Sequence, residues 1–158
     1  MSPPTDENER VVAQNRRARH DYDILETVEA GIVLTGTEVK SLRSGKASLA
    51  ESYATVEGDE AWVRQMHIPP YEQGNRWNMD PVRPRKLLLH RAEIETLHQA
   101  VAQKGQTLIP LRLYFSRGLA KLLIGVARGR KTHDKRHAIA ERDARREMDR
   151  VRRRGERD

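Results

Sequence analysis

Two rhythms of apolar positions run along this chain. From Tyr22 to Val28 they partly alternate, with Tyr22, Ile24 and Glu26 on one side, and after Glu29-Ala30-Gly31 the apolar run Ile32-Val33-Leu34 follows. That pattern predicts two strands, or one bent strand. Ser52–Val56 and Ala61–Met66 flank Glu57-Gly58-Asp59-Glu60, and a glycine-containing loop between alternating segments predicts a hairpin. A second hairpin is predicted where Thr107–Phe115 and Leu119–Val126 flank Ser116-Arg117-Gly118. In its first strand Ile109, Leu111, Leu113 and Phe115 fall on one face. Pro110, which has no amide to donate, marks that strand as a sheet edge.

The helical rhythm appears more rarely. Thr37 is placed to cap a short helix over Glu38–Arg43, in which Val39 and Leu42 share a face and Ser44-Gly45 ends the run. Ile94, Leu97 and Val101 predict an amphipathic helix over Ala92–Lys104, closed by Gly105. Lys86–His90 is a short apolar piece, preceded by a polar loop from Glu72 to Pro84 that holds Gly74 and Pro81. Val11–Tyr22 reads as a basic arm, helical or irregular. In the C-terminal segment Ala140, Ala144, Met148 and Val151 form a thin stripe at helical spacing, too poor in large apolar groups to support a helix alone, so disorder that orders on a partner is expected.

Several short strands with one firm helix and no strand-helix-strand alternation predict a mainly β fold, a small antiparallel barrel of which the oligonucleotide-binding type is one candidate. The organisation expected is a disordered lead over residues 1–10, one domain over 11–129 and a tail over 130–158. Only 37% of residues are apolar and 34% are charged, which limits the core to one modest domain.

Charge sharpens the picture. Thirteen Lys and Arg stand against seven Asp and Glu from Arg128 to Asp158, so six of the seven net positive charges of the chain lie there. Such asymmetry favours a polyanionic partner, because each cation set on a phosphate releases counterions. The absence of cysteine excludes disulfides, thiolate metal sites and thiol nucleophiles, and suits a reducing cytoplasm. The opening MSPPTDENERVV has neither the basic-then-apolar pattern of a secretory leader nor a membrane span, so neither secretion nor membrane insertion is expected. His133 and His137 have a metal-like spacing, but Arg130, Lys131, Lys135 and Arg136 surround them with positive charge and no third ligand is evident. No nucleophile elbow, zinc-protease, P-loop or dinucleotide motif is present, and no metal or cofactor is expected.

Four strings, in this order, carry a resemblance: Asn15-Arg16-Arg17-Ala18-Arg19-His20-Asp21-Tyr22, then Glu29-Ala30-Gly31-Ile32-Val33-Leu34-Thr35-Gly36-Thr37-Glu38-Val39-Lys40-Ser41-Leu42-Arg43, then Arg85-Lys86-Leu87-Leu88-Leu89, then Asp134-Lys135-Arg136. They resemble successive motifs of the SmpB family, the SsrA-binding proteins of bacterial ribosome rescue. The resemblance implies a barrel of oligonucleotide-binding type with about three flanking helices and a basic tail. It implies an adaptor, not an enzyme, that binds the tRNA-like domain of transfer-messenger RNA (tmRNA) and takes it to stalled ribosomes. The tail would become helical in the vacant decoding centre and messenger channel of the small subunit. A cytoplasmic protein, monomeric when free, fits that role.

By position, the resemblance places Asn15, Glu29 and Leu88 toward the RNA, with Arg16, Arg17, Arg19, Lys40, Arg43 and Lys86 as cations suited to phosphates. Glu29 repels phosphate, so it would accept from a base or a 2′-hydroxyl or brace an arginine; a plain surface carboxylate is the alternative. Leu88 could equally be core. The rings of His20 and Tyr22 could stack on bases, or Tyr22 could be buried with its hydroxyl satisfied. In the tail, Lys131, His133, Asp134, Lys135 and Arg136 are implied at the decoding centre, His133 by stacking. His90 stands where some members carry asparagine, and Arg152-Arg153-Arg154 makes the tail end richer in arginine than the family pattern. The competing classes are a small RNA-processing hydrolase and a ribosomal or chaperone-like structural protein.

Overall fold

The computed structural model describes residues 9–73 and 78–129, together with Arg146 and Met148, both helical. Its strands are β1 (Glu9–Gln14), β2 (Tyr22–Ile32), β3 (Tyr53–Glu57), β4 (Glu60–Arg64), β5 (Arg85–Leu88), β6 (Thr107–Ser116) and β7 (Leu119–Gly129). The helices are α1 (Ala18–Asp21), α2 (Gly36–Arg43) and α3 (Arg91–Ala102). All strand pairs are antiparallel and run β6-β3-β4-β5-β2-β7, and β7 pairs again with β6. These pairings close a ring of six strands, the small barrel the sequence predicts. β1 lies outside the ring on β6, whose far edge it takes over from β3: Leu108 faces Ala54, and Arg112–Ser116 face Gln14–Glu9.

Of the arm over Val11–Tyr22, Val11–Gln14 are strand and Ala18–Asp21 the short helix α1, and β1 draws Glu9 and Arg10 into the sheet where a lead over residues 1–10 is expected. Pairing with β6 supplies the order that a short polar segment lacks by itself. Both hairpins form, with Gly58 and Gly118 in the left-handed conformation that their turns require. The segment over Glu29-Ala30-Gly31 does not break; β2 is one strand with a bulge between Ile24 and Glu26.

Pro110 is not at an edge, since β6 has neighbours on both sides. A bulge between Pro110 and Arg112 absorbs the missing amide and adds one residue to the strand. The faces consequently divide differently from the simple alternation. Leu108, Leu113 and Phe115 join Leu122, Ile124 and Val126 inside the barrel, while Ile109, Leu111, Tyr114, Leu123 and Ala127 pack on the outer wall under Ala18 of α1. The β6–β7 hairpin is thus buried on both faces.

α2 and α3 close the interior with Leu42, Leu97 and Ala100. The cap of α2 is Thr35, not Thr37: its hydroxyl accepts from the Glu38 amide at 3.4 Å while Glu38 Oε1 accepts from the Thr35 amide at 2.9 Å. This reciprocal pair satisfies two donors that a helix start otherwise leaves open. Glu38 also anchors the loop before β5. Arg83 and the fully buried Arg85 donate to its carboxylate, at 2.5 Å for Arg83 Nη2 and for Arg85 Nε, and Arg85 continues to the carbonyls of Met66 and Pro81. Burial pushes the Glu38 carboxyl up, but the bonds from Arg83, Thr35 and Arg85 outweigh it and hold its pKa below the ordinary value. Burial lowers Arg85 from its usual range, and Glu38 opposes that shift.

Candidate nucleic-acid interface

The outer wall of the barrel gathers several of the residues that the motifs single out. Register partners on adjacent strands share a face, and two lateral rows follow from the pairings. One runs Gln14, Arg112, Leu123, Glu29 across β1, β6, β7 and β2; the next runs Tyr114, Lys121, Gly31, Leu88 across β6, β7, β2 and β5. Leu123 and Tyr114 belong to the outer apolar cluster, which fixes both rows on the outside.

Leu88 is 56% exposed, so it is not core. It stands directly over Gly31, where a Cβ would come within 3.3 Å of the Leu88 Cβ, and glycine there lets the two strands carry that side chain at the surface. Lys86 lies on the same side of β5, half-buried beside Trp62 of β4, with Nζ 3.4 Å from Glu60 Oε1.

Glu29 is exposed, and its Oε2 accepts a hydrogen bond from the hydroxyl of Tyr114. Tyr114 is only 1% exposed. Burial first, and then the bond to the Glu29 carboxylate, raise its phenol above the ordinary tyrosine range, so it remains a donor. The guanidinium of Arg112 stacks on the Tyr114 ring, 4.7 Å from its centre, and pairs with Glu9 Oε2 at 3.5 Å. Of the alternatives for Glu29, the structure places it against a tyrosine, with an arginine behind that ring.

The corner of β1, α1 and β2 carries the basic motif. Asn15 is tied to the β6 bulge: its amide N–H donates to Leu111 O at 2.8 Å and its side-chain Nδ2 to Pro110 O at 3.2 Å. Arg16, Arg17 and Arg19 are exposed. Asn15, Arg16 and Arg19 rim a groove of about 220 Å³ floored by Leu111, Arg112 and Leu123. Asn15, Arg16, Arg17 and Tyr22 line a wider one of about 690 Å³, closed on its far side by residues 47–53. His20 is exposed and its Nδ1 lies 3.1 Å from Asp21 Oδ1, whereas Tyr22 is half-buried and packs on the outer cluster.

Lys40 and Arg43 stand apart from this wall. Both are on α2 and line neither groove; Lys40 Nζ sits 5.8 Å from the centre of the Tyr71 ring, and the Arg43 carbonyl accepts from Arg10 at 2.8 Å. His90 is the cap of α3, where its amide donates to Glu93 Oε1 at 3.0 Å. Lys131, His133, Asp134, Lys135 and Arg136 lie outside the described residues. Among the described residues no group of three or more His, Asp or Glu is arranged to hold a metal ion, and no helix is long and apolar enough to cross a membrane.

The motifs pass over Arg112, Tyr114 and Lys121. An arginine inside the otherwise apolar LIPLRLYF was the available signal, since an unpaired cation is rarely buried. Its outward placement depends on the bulge, which sequence periodicity does not reveal.

A closed antiparallel ring with cations, exposed apolar groups and a fixed carboxylate on its outer wall defines a small β-barrel of the oligonucleotide-binding type. A profile of the SmpB protein family matches residues 12–154. The chain belongs to the SmpB family. It is 61% identical over 144 residues to the SsrA-binding protein of Acetivibrio thermocellus, covering 91% of this chain and 94% of that one. With the SsrA-binding protein of Desulfitobacterium hafniense it shares 57% identity over 141 residues, 89% of this chain and 90% of the other. A chain in a solved structure described as "tmRNA-SmpB: a journey to the center of the bacterial ribosome" is 54% identical, superposes with a TM-score of 0.66, and is matched over 80% of this chain and 92% of that one.

Proposed function

We propose that this chain binds the tRNA-like domain of tmRNA through the outer wall of its barrel and carries it to stalled ribosomes, as an adaptor with no catalytic step and no cofactor. Its family, and the tmRNA–SmpB complex to which its fold is similar, support that reading. The observation that carries it furthest is the pair of adjacent rows that set exposed Leu88, half-buried Lys121 and exposed Glu29 side by side, next to the arginines at the β1–α1 corner. Those arginines supply sequence-independent phosphate affinity, and Glu29 with Leu88 supplies contacts that phosphate cannot make.

The tail is the second functional part of the proposal. With six of the seven net charges from Arg128 onward, it suits the ribosomal RNA of an empty decoding centre, where Lys131, His133, Asp134, Lys135 and Arg136 would lie. The adaptor acts as a monomer in the cytoplasm.

A gel-shift titration against tmRNA and elongator tRNA at two salt concentrations, with the RNA checked for cleavage, tests the barrel's part. Selective binding of intact tmRNA is the expected result. Equal binding of both RNAs, collapsing at the higher salt, would leave only the charge argument, and metal-dependent cleavage would favour a hydrolase.

A further inference from the structure

We propose that Tyr114 is a positioning residue of the RNA-binding wall, clamping Glu29 so that its carboxylate is a fixed acceptor for a base amino group or a 2′-hydroxyl, with Arg112 holding the clamp from behind. This deepens the function proposed above and rests on it.

A carboxylate on a phosphate-binding face is a liability unless it is aimed. A loose Glu29 would sweep through conformations that repel the backbone of the bound RNA, whereas one held at a single oxygen repels less broadly and can meet a donor with its other oxygen. The structure supplies the hold. Tyr114 Oη donates to Glu29 Oε2 and leaves Oε1 as the oxygen that Tyr114 does not engage. The ring of Tyr114 is buried in the outer cluster of Ile109, Leu111, Leu123 and Ala127, so the hydroxyl cannot swing away. Arg112 is 8% exposed, stacks on that ring and reaches Glu9 on β1. Glu9, Arg112, Tyr114 and Glu29 thus form one chain of contacts across β1, β6 and β2. Two rows of the wall depend on it, because Glu29 neighbours Gly31 and therefore Leu88.

The test uses the full-length protein, its Tyr114→Phe and Glu29→Ala variants and the double variant, titrated against the tRNA-like domain of tmRNA and against elongator tRNA over a salt series. Tyr114→Phe keeps the buried ring, and a thermal melt verifies its fold. We expect each single change to weaken tmRNA binding about five-fold, the weight of one well-placed hydrogen bond, and to leave elongator tRNA binding unchanged. The double variant should bind no more weakly than Glu29→Ala alone, because Tyr114 acts through Glu29. The salt slope should stay that of the parent, since no phosphate contact is lost. Additive losses in the double variant would overturn the clamp. So would a Tyr114→Phe protein that keeps full selectivity, or one whose affinity for both RNAs and whose salt slope fall together. A parent protein that does not prefer tmRNA would overturn the proposed function and the clamp with it.

Discussion

The hydroxyl of Tyr114 on β6 reaches Glu29 on β2 across the whole width of β7, joining residues 85 apart in the chain on strands that do not pair. A hydrogen bond to a carboxylate from a buried phenol favours the protonated phenol. With its pKa raised above the ordinary 10.0, Tyr114 contributes stability that is complete below pH 10 and is lost as pH climbs through the raised value. Absorbance titration should show a tyrosinate step that lags the others and vanishes in Tyr114→Phe, together with a flatter alkaline stability limb in that variant.

Glu38 governs the opposite end of the pH range. Its pKa is depressed below the ordinary 4.5, so its contribution is present above that pH and fades as pH falls through the lower folded value. Glu38→Gln leaves Arg85 buried without its counter-charge and is expected to cost about 3 kcal/mol at neutral pH, with a shallower acid limb in urea titrations run between pH 6 and pH 3.

Gly125 lies against the outer cluster, where an added Cβ would meet Leu111 at 3.0 Å and Ile24 at 3.3 Å. Gly125→Ala should therefore destabilise the barrel by about 2 kcal/mol, seen as a lower urea midpoint with an unchanged slope.

Leu88 separates stability from binding. Because it is mostly exposed, Leu88→Ala should change unfolding free energy by less than about 0.5 kcal/mol. The same variant should bind tmRNA several-fold more weakly by gel shift. A large loss of stability would instead make Leu88 a packing residue.

Ending the chain after Gly129 should leave tmRNA binding within about two-fold of the parent, the size of a change in a few distant charges, while abolishing rescue in a reconstituted translation assay. Parallel loss of both activities would show that barrel and tail do not divide the work.

Much of this was legible beforehand because it depends on local periodicity. The hairpins at Gly58 and Gly118, the helix around Leu97 and the barrel class follow from spacing that any neighbour would preserve. What was not legible depends on partners distant in sequence. Thr35 wins the cap over Thr37 because Glu38, three residues on, must also face Arg83 and Arg85. Glu9 and Arg10 enter the sheet because β6 offers an edge beyond β3. For the candidate interface, the motifs singled out Glu29 and Leu88, which the structure sets on the outer wall, and passed over Tyr114 and Arg112; the helix predicted over Glu38–Arg43 already put Lys40 and Arg43 on an element of their own.

Inside and outside along a strand are a matter of odd and even count, and the extra residue between Pro110 and Arg112 resets that count. Before it an even-numbered residue, Leu108, points to the interior; after it the odd-numbered Leu113 and Phe115 do. Were the bulge to straighten with every residue kept, the parity of everything downstream would reverse, turning Tyr114 inward and Leu113 outward with no change in composition. The bulge itself, as much as the chemistry of the segment, keeps a phenol beneath Glu29.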